Sequence, residues 1–238
     1  MTGEEDLDGR EGKPPGEGSV GHDQGIVKSD SDDFVGAPRD GRNTMKNREN
    51  TPFSAADLSP LVAELLEPPR LAPLGPGCPN AAMRPRLQSL KPADLFAPRP
   101  VVDADMAAAC LAGLWLYHDF LDGSHTISQS INTTSGSYWH GLLHRREPDF
   151  SNAGYWFRHV GTHPVFEPLR VEAAKLAAGA SGKVAFLTTQ TSWDPFAFIN
   201  LCEASYDQKS PCHELCRQVQ RVEWELLFDY CFRHAVGI

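Results

Sequence analysis

The chain has 238 residues, 41 % of them hydrophobic, and a formal net charge of −9. That length holds one domain, or one domain with long arms. No run of about 18 apolar residues is present, so no membrane span is expected. The charge is uneven. Residues 1–44 hold 11 acids and 5 bases, whereas the remainder holds 20 acids and 17 bases. The second part is nearly balanced and lacks the concentrated basic face that a nucleic-acid partner requires.

Residues 1–50 are rich in Gly, Asp, Glu, Ser and Pro. They are too poor in apolar side chains to offset their ordering entropy. A disordered acidic tail is expected here, with Met45 as an alternative start. The opening M-T-G-E-E-D-L-D has no apolar stretch of the kind a secretory signal uses. The six cysteines contain no C-x-x-C pair. Cytoplasmic location with reduced thiols is the matching expectation. Cys212 and Cys216 read as half-buried thiols on the last helix.

Residues 51–100 form the next region. Ser59-Pro60 has the form of an N-cap followed by proline at the first helical position. Leu61, Val62, Leu65 and Leu66 follow as an apolar stripe, which Pro68-Pro69 stops. Nine prolines over 68–100 predict an extended arm. Its scattered apolar residues, Leu71, Leu74, Met83, Leu87, Leu90, Leu95 and Phe96, are suited to packing. The packing partner is either the chain's own domain or a second copy in a homo-oligomer.

From 101 to 238 the periodicity is helical. Asp103 predicts a helix to about Asp122, stopped by Gly123. Ser137 predicts a second through His144. Asp149 or Ser151 starts a third to Val160, ended by Gly161. Thr162-His163-Pro164 opens a fourth, to about Ala178. Residues 184–189 read as either a strand or a buried helical turn. Asp194-Pro195 starts a fifth helix and Ser210-Pro211 a sixth, to about His234. The expected fold is all-α: a single irregular bundle of about six helices, clasped by the proline-rich arm.

Six of the nine histidines fall between His118 and His163, with Trp115, Trp139 and Trp156 close by. His118 and Asp122 share a helical face by their spacing of four. His125 follows just past the expected helix end. His140, His144 and Glu147, at i, i+4 and i+7, form one narrow strip. Imidazole and carboxylate suit a divalent metal. The candidate ligands are therefore His118, Asp122, His140, His144 and Glu147, with His140 and His144 as the nucleus. H-G-L-L-H carries Gly141 where a zincin needs its Glu, which excludes that mechanism. Ser124-His125 has neither the spacing nor the strand–turn–helix setting of a nucleophilic serine.

A small polar or anionic ligand is the other candidate occupant, held by Arg145, Arg146 and Arg158 beside Tyr155 and Trp156, since guanidinium binds carboxylate or phosphate bidentately. The alternative for those arginines is a solvated basic rim paired with Glu147, Asp149 and Glu167. For the whole cluster, the rival to a site is a buried network of His, Trp and Arg that only fixes core geometry in a structural or interaction module. Enzymatic activity is open on both readings.

The run Y-W-H-G-L-L-H-R-R-E-P-D-F-S-N-A-G-Y-W-F-R-H-V-G-T-H-P-V-F resembles a segment found in a group of uncharacterised microbial proteins. The resemblance spans about 50 residues around 115–166. It implies no activity, cofactor or catalytic residue. It implies that this segment is the centre of the domain.

Overall fold

The computed structural model describes residues 58–238. The expected acidic tail and Met45 lie outside them. Among the described residues there are ten α-helices and no strand: α1 (Pro60–Leu65), α2 (Arg84–Ser89), α3 (Ala104–Tyr117), α4 (Leu121–Ser128), α5 (Thr134–Arg146), α6 (Phe150–Val160), α7 (Phe166–Leu176), α8 (Phe186–Thr189), α9 (Pro195–Ala204) and α10 (His213–Val236). Short 3₁₀ turns at Ala81–Met83, Pro92–Phe96 and Gly182–Val184 join them. The all-helical class stands, but the single irregular bundle of about six helices does not. Residues 184–189 are a 3₁₀ turn running into one helical turn. The arm adds α1 and α2. The single helix expected over 103–122 is two.

That division has a local cause. Asp119 adopts φ 62°, the left-handed region that ends an α-helix, and His118 becomes the C-cap of α3. Asp is one of the few side chains that visit this region readily. Its carboxylate is also drawn aside by two arginines, Arg70 at 2.6 Å and Arg146. The chain then restarts as α4, so Gly123 is not a stop. Gly123 is where α4 crosses Trp115; a Cβ there would lie 2.3 Å from the indole.

Side-chain caps define several other helix starts. Ser59, Asp103, Thr133, Asp149 and Asp194 each accept a backbone N–H from the first turn that follows. Such a cap is worth about 1 kcal/mol. Thr133, not Ser137, caps α5, which begins four residues earlier than expected.

The core centres on α10, which packs against α3, α7 and α9. Trp224 stacks on Phe228 at 4.8 Å and meets Trp139 edge-on at 6.0 Å. The Trp224 Nε1–H donates to Gly113 O on α3 at 3.0 Å. The arm is part of this core: Leu65, Leu74, Leu87, Leu95 and Phe96 are buried within the one chain, and Phe96 packs on Phe232 at 4.8 Å. Its backbone is held from below. Arg217 donates to Leu71 O and Ala72 O, Gln220 to Pro73 O and Arg146 to Gly75 O. Each bond satisfies an arm carbonyl that burial would otherwise leave unpaired. No helix among the described residues is long and apolar enough to cross a membrane.

Candidate metal centre

Helices α4, α5 and α6 meet at the histidine cluster. Gly141, between the two histidines of α5, makes this packing possible. A Cβ there would lie 2.8 Å from the Phe157 ring, so glycine lets α6 ride directly on α5. Steric need therefore accounts for the residue that stands where a zincin has its glutamate.

His140 and His144 project from one face of α5, as the i, i+4 spacing requires. Their rings stack with centroids 4.7 Å apart. The third partner is His125 of α4, 4.7 Å from the His140 ring and 5.2 Å from that of His144. One nitrogen from each of the three imidazoles can be chosen so that all lie within 4.8 Å of one another. His140 and His144 are buried and His125 is half-buried. Trp156 of α6 lies flat on His140, 4.0 Å between centroids at 14°.

The polar partners are few. His144 Nδ1 lies 3.0 Å from Glu147 Oε2, and His144 Nε2 lies 3.1 Å from Asn152 Nδ2. With Glu147 ionised, Nδ1 carries the proton and Nε2 is the lone-pair nitrogen that faces the Asn152 amide. Neither His125 nor His140 makes a ring hydrogen bond among the described residues, and His140 Nδ1 is fully buried without one. Burial pushes the His140 pKa down to about 4, with the neighbouring His144 and His125 adding to the effect. Burial lowers His144 as well, although Glu147 opposes it. Both rings are therefore neutral at pH 7, the state in which imidazole binds a metal.

The other sequence candidates stand elsewhere. His118 points under the arm; its Nε2–H donates to Leu65 O at 2.9 Å, and its Nδ1 lies 3.4 Å from Asn80 Nδ2. The helix break at Asp119 separates it from the cluster. Asp122 is exposed on the first turn of α4. Glu147 is the C-cap of α5 and supports His144 from behind, where a carboxylate orients a ligating imidazole. Sequence reasoning passed over His125, because a helix ending at Asp122 would have left it in a loop. The relevant signal was Asp119, of a residue type that leaves the right-handed region more readily than most.

Arg158 is not brought together with Arg145 and Arg146, and those two do not form a solvated rim. Arg145 is 1 % exposed and pairs with Glu223 of α10, whose other oxygen accepts the Tyr138 hydroxyl at 3.0 Å. Arg146 is 3 % exposed and pairs with Asp119. Both face away from the histidines. Glu167 pairs instead with Arg170. Arg158 and Tyr155 are exposed on α6, with the guanidinium 5.9 Å from the phenol ring. Of the aromatic candidates, Trp156 alone touches the cluster.

His163 offers a contrast. Its Nδ1 accepts from Val165 N at 3.2 Å, which leaves Nε2–H to donate to Ser135 Oγ at 3.0 Å. His118 and His163 are thus paired on both nitrogens, as buried imidazoles normally are. The histidines at 125 and 140 are not. Comparison with protein-family models, with curated proteins and with solved structures finds no match for this chain, so the reading of the site rests on its geometry.

Proposed function

We propose that His125, His140 and His144 bind a divalent transition metal, with Zn²⁺ the foremost choice. The observation that carries this is convergence: three imidazoles meet, and among the described residues the rings of His125 and His140 make no hydrogen bond, whereas His144 is engaged by Glu147 and Asn152. Imidazole ligands suit Zn, Fe, Ni or Cu. Three protein ligands leave at least one coordination position for water or substrate, the pattern of reactive rather than structural zinc sites. Such a site supplies a Lewis acid and a water of lowered pKa. The protein is on this reading a metal-binding helical protein with the capacity for metal-assisted chemistry.

The test is titration of the purified full chain with Zn²⁺, Fe²⁺ and Ni²⁺, read by calorimetry and by thermal melts. One equivalent should bind, and at about 100-fold above Kd the metal should add about 2.7 kcal/mol of stability. His125→Ala, His140→Ala and His144→Ala should each abolish that gain. Absence of stoichiometric binding, or wild-type binding by His125→Ala, overturns the proposal.

A second reading draws on the His144–Glu147 and His144–Asn152 contacts: a polar network that fixes how α4, α5 and α6 pack. It expects His144→Ala to cost about 1–3 kcal/mol, because buried partners lose a hydrogen bond. It expects no metal response in any variant.

A further inference from the structure

Below the arm, on the other side of α5, lies a partly open cavity of about 210 Å³ between α3, α5 and α10. At ~100° per residue, Leu142, Arg145 and Arg146 lie roughly 140–240° around the helix from His140. The cavity and the histidine cluster therefore occupy opposite faces of one helix. Leu66, Leu116, Leu142 and Trp224 supply apolar wall. Arginines 70, 145, 146, 217 and 221 also line it.

Charge pairing around this cavity is incomplete by one. Arg145 is matched by Glu223, Arg217 by Glu214 and Arg221 by Glu225. Asp119 alone serves both Arg70 and Arg146. The remaining lining acid, Glu67, is exposed and screened by solvent. Arg146 uses Nε on Gly75 O and Nη2 on Asp119, and its Nη1 has no partner among the described residues. Yet this side chain is 3 % exposed and lines the cavity. Burial lowers its pKa despite Asp119, with Arg145 and Arg70 adding repulsion. Arg146 Nη1 is not fully buried, so it is open to whatever enters the cavity.

We infer that this cavity binds a small organic monoanion, a carboxylate on an apolar body. The carboxylate pairs with Arg146 Nη1 and the Arg70 guanidinium, which balances two cations against two anions. The body lies on Trp224 and the leucines. Size agrees with one ring or a short chain. The volume exceeds the ~150 Å³ of an engineered cavity that accepts benzene and falls short of the ~300 Å³ at which drug-sized sites begin.

The experiment is calorimetric titration of the full chain with phenylacetate, its neutral isostere phenylacetamide, and inorganic phosphate. Phenylacetate should bind about tenfold or more tightly than the amide, the effect of one charged hydrogen-bonding group in a buried site. Arg70→Gln should bring acid and amide to near parity. Ala72→Phe, which fills the cavity from the arm, should remove both. His140→Ala should change neither, which separates this site from the metal proposal. Should Arg70→Gln or Ala72→Phe fail to fold, the acid–amide comparison on the unaltered chain decides. Equal binding of acid and amide, no binding of either, binding of phosphate alone, or an effect of His140→Ala as large as that of Arg70→Gln overturns the inference.

Discussion

Trp156 covers the His140 imidazole face to face, the rings 4.0 Å apart and 14° from parallel. The contact holds one ring of the histidine cluster in a fixed plane without using either nitrogen. Trp156→Ala should therefore weaken Zn²⁺ binding by about tenfold, the scale on which supporting partners act on a metal site. The stability cost should be about 1–3 kcal/mol, the aromatic pair plus the part of the indole surface that is buried. Trp156→Phe should restore most of the affinity. Calorimetric titration of both variants is the check, and unchanged affinity in the alanine variant would count against a positioning role.

Gly141→Ala sets two effects against each other. Alanine gains about 1 kcal/mol of helix propensity over glycine. Its Cβ meets the Phe157 ring at 2.8 Å, and overpacking of that kind costs about 1–3 kcal/mol. The clash should win, with a midpoint lowered by a few degrees and α6 displaced from α5. Phe157→Leu in the same chain should relieve it. A melt in which Gly141→Ala is more stable than wild type would contradict the packing account.

Acid should act through His163. Burial, with His234 adding repulsion, holds its pKa down to about 4. The unfolded value is ~6.5, so between pH 6.5 and about 4 the unfolded chain takes up a proton that the folded chain refuses. Stability is unaffected above pH 6.5, falls through that window and levels off below it. The loss should approach about 2–3 kcal/mol. His163→Gln should flatten that share of the decline, read from denaturant midpoints between pH 7.5 and 4.5. An unchanged slope in the variant would rule out His163 as its source.

Much of the helical pattern was legible because caps are local. Asp149 and Asp194-Pro195 start α6 and α9 where their side chains can reach the first free N–H groups. The shared face of His140 and His144 follows from spacing alone. What was not legible depends on partners far along the chain. The break at Asp119 needs Arg70 and Arg146, and with it comes the inward turn of His125. The burial of Arg145 depends on Glu223, 78 positions away. The arm reads as extended from its nine prolines over 68–100, yet Pro85 lies in the first turn of α2, where proline is tolerated. Residues 184–189 alternate too briefly to separate strand from helical turn, and packing of Leu187 in the core decides it.

The bend at Asp119 also governs when the histidine cluster can exist. His140 and His144 are neighbours as soon as α5 winds. His125 joins them only after α4 leaves the line of α3, and that turn is clasped by Arg70, 49 positions earlier in the chain. All three imidazoles fall within 20 consecutive residues, yet a peptide cut from that stretch would hold only two in place. The triad thus depends on a long-range contact, and the arm acts as its keystone from a distant part of the sequence.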